Sequence, residues 1–370
     1  MRNLMVLGKL AFAGLFALSL VACGGSEKAE ETAKVEKKAE TIHWKMVTTW
    51  PKNFPGLGTS AEALAKNITQ MSNGRLDVKV YAAGELVPAL EVFDAVSRGT
   101  AEMGHSTAYY WKGKAPAVQF FSSIPFGMTA QEFNAWLEYG GGLQLWEEVY
   151  APFNIIPMVA GNTGAQMGGW FNKEINSFAD FQGLKMRMPG LGGEVLKKVG
   201  AVTINLPGSE IFTALQTGTI DATEWVGPYN DLAFGLYKAA KYYYYPGWQE
   251  PGSAVEALFN KDAFNALPAD LQDIVRAATQ QANVAMLSEF TARNDAALAT
   301  LVNEHNVVLK EFPKDLLEAL KVASHETLDE VAANDPMSQK VYDSFKSFLA
   351  SVSQWHDISE RAFINARAND

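Results

Sequence analysis

Cysteine is almost missing: Cys23 is the only one in 370 residues, so the chain can close no internal disulfide and build no thiolate cluster for zinc. Histidine is sparse as well. His43, His105, His305, His325 and His356 are scattered, with no pair at metalloprotease spacing and no nucleophile elbow in the chain, which leaves a hydrolase without its usual machinery. Positive charge is in deficit, 31 Lys and Arg against 41 Asp and Glu, a net charge of -10. A nucleic-acid binder needs a basic face to neutralise phosphates, so that class is excluded. The apolar run at residues 10–21 is too short to span a bilayer by itself.

That run suits a secretory signal instead. Arg2 and Lys9 precede it and Leu20-Val21-Ala22-Cys23 closes it, a tetrapeptide that resembles the bacterial lipobox, in which the cysteine is acylated and becomes the new N-terminus. Residues 1–22 are therefore expected to be a lipoprotein signal peptide, and residues 23–40 the lipidated Cys23 and a flexible tether. Glu, Lys and Ala dominate that stretch, and mixed charge with no hydrophobic stripe cannot offset the entropy of ordering. The expected location is extracytoplasmic, periplasm or cell surface, anchored to a membrane by lipid.

From His43 onward the chain reads as an ordinary globular protein, 48% hydrophobic and 19% charged, large enough for two domains. A strand at Trp44-Lys45-Met46-Val47 precedes a helix with Ala61, Leu64, Ala65, Ile68 and Met71 on one face, ended by Gly74. Leu76, Val78 and Val80 alternate with Asp77 and Lys79 as a second strand. A helix through Leu90, Phe93 and Val96 leads to Gly99 and a strand at Ala101-Glu102-Met103. This is βαβ order and implies parallel strands.

An internal echo supports two similar halves. Glu91-Val92-Phe93-Asp94-Ala95-Val96-Ser97-Arg98-Gly99-Thr100-Ala101-Glu102 matches Glu210-Ile211-Phe212-Thr213-Ala214-Leu215-Gln216-Thr217-Gly218-Thr219-Ile220-Asp221, so helix end, Gly-Thr turn and strand recur in register. Ligands of open α/β sheets lie beyond the carboxyl ends of the strands, so both echo strands should deliver residues to one cleft. Tyr109, Tyr110 and Trp111 follow the first of them; Glu224, Trp225 and Tyr229 follow the second. Aromatic walls with a few polar groups describe a small-molecule pocket.

The stretch Leu184-Lys185-Met186-Arg187-Met188-Pro189-Gly190 alternates like a strand and ends at Pro-Gly before an apolar-periodic helix through Val195, Leu196 and Val199. Arg187 then stands where a sheet meets a crevice. Its planar, permanently charged fork suits a carboxylate, so a small organic anion is the inferred ligand, against the alternative of an ordinary ion pair. Gly190, Gly192 and Gly193 do not make a dinucleotide fingerprint, because Val195 stands where the third glycine belongs. Leu267-Pro268 and Phe312-Pro313 read as helix entries. Val341, Phe345, Phe348, Leu349, Val352, Trp355 and Ile358 form a helical stripe, either core or a dimer contact.

These residues carry a resemblance. Residues 93–103, residues 184–190, Asp221-Ala222-Thr223-Glu224-Trp225-Val226-Gly227-Pro228 and Tyr242-Tyr243-Tyr244-Tyr245-Pro246-Gly247-Trp248-Gln249-Glu250-Pro251-Gly252 are similar to the extracytoplasmic solute-binding proteins of TRAP transporters. The last two motifs resemble the subgroup that binds monocarboxylic 2-oxo or 2-hydroxy acids with a metal ion, rather than sialic acid or C4-dicarboxylates. The resemblance implies an α/β, two-lobed, periplasmic-binding-protein-like fold with the ligand cleft between lobes and long C-terminal helices. Residues 41–160 would be mainly lobe I, residues 161–290 mainly lobe II, and residues 291–370 helices packing on the lobes or on a partner in a homodimer.

By matched position, Arg187 would clamp the substrate carboxylate. Asn162 would offer it an amide, and Tyr109 or Tyr110 would close over it from the first lobe. Gln166, Glu224, the Trp225 carbonyl and Glu250 would hold the metal, with Trp225 and Glu250 also facing the substrate. Two glutamates and an anionic ligand against one arginine leave net negative charge in a dry cleft, which calls for a cation; oxygen ligands suit sodium or calcium. The partners implied are a small carboxylate and the TRAP membrane permease subunits. A sensor module for a membrane receptor shares this fold, and an envelope-anchored hydrolase or lyase is the rival from another class.

Overall fold

Residues 40–368 are described by a computed structural model; the expected signal peptide, Cys23 and nearly all of the tether lie outside them. The strands are β1 (Ile42–Thr48), β2 (Leu76–Tyr81), β3 (Met103–Ser106), β4 (Ile155–Asn162), β5 (Gly169–Phe171), β6 (Lys185–Arg187), β7 (Val202–Ile204), β8 (Ala222–Thr223), β9 (Tyr242–Tyr245), β10 (Ala254–Asn260) and β11 (Val308–Glu311). They form two sheets, ordered β2-β1-β3-β10-β4 and β11-β9-β5-β8-β6-β7. The fold is α/β, as expected.

The amphipathic pattern accounts for the first sheet. In β2, Leu76 and Val78 are buried while Lys79 points to water, and β1 pairs with it in parallel from Ile42 opposite Leu76. The helix Leu57–Met71 covers the sheet with Leu57, Ala61, Leu64, Ala65 and Ile68, the one-face spacing of a 3.6-residue period. It ends at Ser72; Gly74, left-handed at φ 74°, donates to the Thr69 carbonyl at 2.9 Å and completes the turn.

The echo is visible in the backbone. The helices Val92–Ser97 and Gly208–Gln216 are each followed by a left-handed glycine, Gly99 at φ 73° and Gly218 at φ 72°, and then by an inner strand, β3 or β8. The first of these strands starts at Met103 rather than Ala101, because the Ala101 N–H is still committed to the Ala95 carbonyl of the turn.

Parallel pairing holds for β1 with β2 and β3, and for β6 with β7 and β8. Both sheets are nonetheless mixed: β10 runs antiparallel between β3 and β4, and β5 runs antiparallel to β8 and β9. Pro268 and Pro313 stand immediately before the helices Ala269–Asn303 and Lys314–Ala333. The helix Ala269–Asn303 packs on β4, on Leu57–Met71 and on the helix Pro228–Phe234, within one core that takes Met46 from the first sheet and Trp170 from the second. In the helix Pro336–Ile358, Val341 and Phe345 are core, whereas Trp355 is 63% and Ile358 74% exposed, so the stripe is covered only along its first part. Among the described residues no helix is long and apolar enough to cross a membrane.

Besides the long helical connection from β10 to β11, two short segments carry the chain between the sheets, residues 163–168 and residues 246–253, and they are bonded to each other. Gln166 N–H donates to the Glu250 carbonyl at 3.1 Å, Gly247 N–H to the Gln166 carbonyl at 3.1 Å, and Thr163 N–H to the Ser253 carbonyl at 3.0 Å. A methyl at Gly247 would stand 2.2 Å from the Gln166 oxygen, closer than any packed carbon tolerates. Gly247→Ala is therefore expected to destabilise the protein by about 1–3 kcal/mol in urea unfolding. An unchanged midpoint and slope would show that these two segments are not locked together.

Candidate functional site

Arg187 is the last residue of a three-residue strand whose first residue is exposed and whose other two are buried. Pairing of β6 with β8 sets Arg187 opposite Thr223, which brings the next residue, Glu224, alongside the guanidinium. Nη1 donates to Glu224 Oε1 and, at 3.3 Å, to the Glu224 carbonyl; Nη2 donates to the Tyr110 hydroxyl at 3.3 Å and Nε to the Leu206 carbonyl at 3.3 Å. One Nη2 hydrogen is left over. The guanidinium lies 5.2 Å from the Trp225 ring centroid, and Tyr109 meets Tyr110 edge to face at 4.8 Å. Tyr110 comes from the turn after β3 of the first sheet, so this contact reaches from one sheet's loops to the other's. Lys112 and Glu194 bridge the same approach at 2.5 Å.

A nearly closed cleft lies beside this pair, with a cavity of about 10 Å³. Trp50, Leu57, Trp225, Val226 and Val255 make its apolar wall; Thr107, Tyr109, Tyr110, Thr163, Gln166 and Ser253 make its polar one. That volume is room for about one water, so a ligand of several heavy atoms enters only if the walls move apart.

Arg187, Asn162, Gln166, Glu224, Trp225, Glu250 and Tyr109 are buried here and Tyr110 partly so, and several lack a hydrogen-bond partner. Gln166 Oε1, Glu224 Oε2, Glu250 Oε2 and Asn162 Nδ2 are all unpartnered, as is the Trp225 indole N–H. Asn162 ends β4 and spends its oxygen on the Gly164 N–H at 2.8 Å; Gln166 donates its amide to Thr163 Oγ1 at 3.2 Å. Gln166 and Glu250 meet through the backbone bond between the two crossing segments. No direct contact joins Asn162 to Arg187. Among the described residues no group of three or more His, Cys, Asp or Glu is placed to hold a metal, so an ion here would draw on amide and carbonyl oxygens besides two carboxylates.

Burial governs the electrostatics. It pushes the Glu224 carboxyl up to about 7, Arg187 pulling the other way and Asp231 adding to the rise. Glu250 is driven well above the usual carboxylate range by burial and then by the charge of Glu224. Burial opposes the Arg187 charge, but Glu224 and the two tyrosines outweigh it and hold the guanidinium protonated. His105, the one histidine near the cleft, is pushed down to about 3 by burial and accepts the Trp50 indole N–H at 2.8 Å, so it is a neutral support for an apolar wall.

Some residues in and behind the cleft escaped the sequence reading. Gln249 is buried, donates to the Met167 carbonyl at 2.9 Å and leaves its own oxygen unpartnered; its place between Trp248 and Glu250 was the available signal. Trp50 and Asp231 gave none, since one acts through a wall and the other from behind the cleft.

A family profile described as DctP, bacterial extracellular solute-binding protein, family 7, matches residues 46–335. A monocarboxylate 2-oxoacid-binding periplasmic protein of Nostoc sp. is 45% identical over 334 residues, covering 90% of this chain and 91% of that protein. A TRAP periplasmic solute-binding protein from Pseudoalteromonas atlantica, crystallised with bound sodium and pyruvate, superposes with a TM-score of 0.86 at 43% identity, covering 88% of this chain and 99% of that one. Another from Colwellia psychrerythraea, with bound calcium and pyruvate, has a TM-score of 0.86 at 44% identity over 88% of this chain and 100% of that one. With a profile match over most of its length and a relative this close, the chain belongs to the bacterial extracellular solute-binding proteins of family 7.

Proposed function

We propose that this chain is the extracytoplasmic receptor of a TRAP transporter. It takes up a small monocarboxylate, a 2-oxo acid such as pyruvate or a 2-hydroxy acid such as lactate, together with a sodium or calcium ion, and hands it to a membrane permease. The observation that carries the reading is one buried guanidinium paired with Glu224, together with buried, unpartnered polar atoms on Asn162, Gln166, Glu224 and Glu250. Arg187 keeps a hydrogen for the ligand carboxylate and Asn162 Nδ2 supplies a second donor. Gln166 Oε1, Glu224 Oε2, Glu250 Oε2 and the Trp225 carbonyl would hold the ion. An ion there supplies the positive charge that two glutamates and an anionic ligand need, and hard oxygen donors suit sodium or calcium. The Nostoc, Pseudoalteromonas and Colwellia relatives support the same ligand class. The cleft's apolar wall would take the short alkyl end of the ligand.

Closure of two lobes on the ligand fits the contact of Tyr110 with Arg187 and the short segments that join the sheets. A sensor reading uses the same site and differs only in what receives the closed form. A hydrolase reading has neither a nucleophile elbow nor a metalloprotease histidine pair to rest on.

The clamp is tested by calorimetric titration with pyruvate and with lactate. Arg187→Lys replaces a planar fork by a point charge and is expected to weaken binding about 100-fold or more with the fold intact; wild-type affinity in that variant contradicts the clamp. The ion has its own signature in pH. Because the ion must displace a proton from Glu224 below about 7, its apparent affinity is expected to fall as pH drops from 8 to 5.5, and Glu224→Gln should abolish the step near 7 together with most of the ion dependence. An ion response that ignores both pH and this substitution places the ion elsewhere. The lipid anchor and the pairing of two copies through the exposed end of the Pro336–Ile358 helix are tested on one sample. Cys23→Ser is expected to release the protein from membranes as a dimer in sedimentation; retention on membranes, or a monomer, rejects the corresponding part.

A further inference from the structure

Asp231 lies behind the cleft, in the helix Pro228–Phe234, 1% exposed. It makes no salt bridge with any described residue; three hydrogen-bond donors converge on its carboxylate instead. The Trp170 indole N–H reaches Oδ2 at 2.9 Å, the Tyr243 hydroxyl reaches the same oxygen at 2.6 Å, and the Val226 N–H reaches Oδ1 at 3.3 Å. Trp170 and Tyr243 stand opposite each other on β5 and β9 and their rings stack at 4.0 Å, so two of the donors are fixed to the sheet. The Asp231 N–H donates in turn to the Gly227 carbonyl at 2.9 Å. Asp231 thus grips the chain on both sides of residues 226 and 227.

The grip has a directional consequence. Among the described residues only Tyr245–Pro246 is cis, so the bond from Trp225 to Val226 is trans, and in a planar trans peptide the N–H and C=O point in opposite directions. With the Val226 N–H turned back to Asp231, the Trp225 oxygen is turned away from it. The Trp225 and Val226 side chains both line the cleft, and the Trp225 oxygen accepts no hydrogen bond from any described residue. A buried carbonyl without a partner is rare in a folded protein and marks a place where something else completes it.

We infer that Asp231 is a positioning residue for the co-bound ion: anchored by Trp170 and Tyr243, it holds the Val226 N–H and thereby aims the Trp225 carbonyl oxygen at the ion. The inference rests on the ion-and-carboxylate reading above. It assigns Asp231 no contact with ligand or ion, and it separates ion affinity from the arginine clamp.

The test is a calcium titration of the full chain at saturating pyruvate, for wild type, Asp231→Asn and Tyr243→Phe, beside pyruvate titrations at saturating calcium. Asp231→Asn should raise the calcium midpoint by about 10-fold to 100-fold, the usual range when the group orienting a metal ligand is lost. Pyruvate affinity at saturating calcium should change by no more than about 3-fold, within the context-dependent scatter of such contacts. Tyr243→Phe keeps the ring stack, removes one anchor, and should shift the midpoint in the same direction by a smaller factor; it decides alone if Asp231→Asn does not fold. A purely structural Asp231 would lower the melting temperature of ion-free protein and leave the calcium midpoint of the folded fraction unmoved, which overturns the inference. A wild type whose pyruvate binding ignores calcium and sodium withdraws the ion reading, and this inference with it.

Discussion

A guanidinium held at the end of a strand, out of reach of water, cannot stay charged without a partner, and Arg187 finds one in Glu224. The pair does not balance the cleft. Glu250 adds a second buried carboxyl, and burial raises both carboxyls toward neutrality. Such a site is uncomfortable in isolation, and on the proposed reading a cation on the carboxylate side and an anion on the arginine side complete it. Each occupant would make room electrostatically for the other, so that ion and ligand bind as a neutralising set rather than as independent guests.

The fold supplies this constellation from four places. The short strands β6 and β8 set Arg187 and Glu224 side by side through register. The segments crossing between the sheets bring Gln166 and Glu250 together by backbone bonds. Tyr109 and Tyr110 arrive on the turn after β3, whose next residue, Trp111, donates to the buried Glu256 of β10 at 2.6 Å. No element is rigid alone: β8 has two residues and β6 three, and their positions are fixed by what packs around them. This explains why positioning residues such as Asp231 lie outside the cleft.

Much of this was legible in the chain. Alternation and the Pro-Gly stop located Arg187, and the Gly-Thr echo located the two inner strands, because left-handed turns demand glycine and so leave a mark in sequence. The same echo sets Glu224 just past the second inner strand, whereas Glu250 and Gln166 rest on motif resemblance, not on periodicity. What stayed hidden depends on distant pairing. All seven residues of β10 are buried, so no alternation announces its insertion between β3 and β4. The stripe from Val341 to Ile358 has one period throughout, yet only its first part is covered, since periodicity reports a helix face and not what lies against it. Trp50 and Asp231 have no local pattern, because their roles come from what folding sets beside them.

The measurement that bears most directly on charge completion is a crystal structure of this protein grown with pyruvate and calcium, with an anomalous map to place the ion. The account predicts one calcium held at about 2.3–2.6 Å by oxygens of Gln166, Glu224, Glu250 and the Trp225 carbonyl, and the pyruvate carboxylate on Arg187. Pyruvate bound with no cation in the cleft, or a calcium bound away from both glutamates, would contradict it.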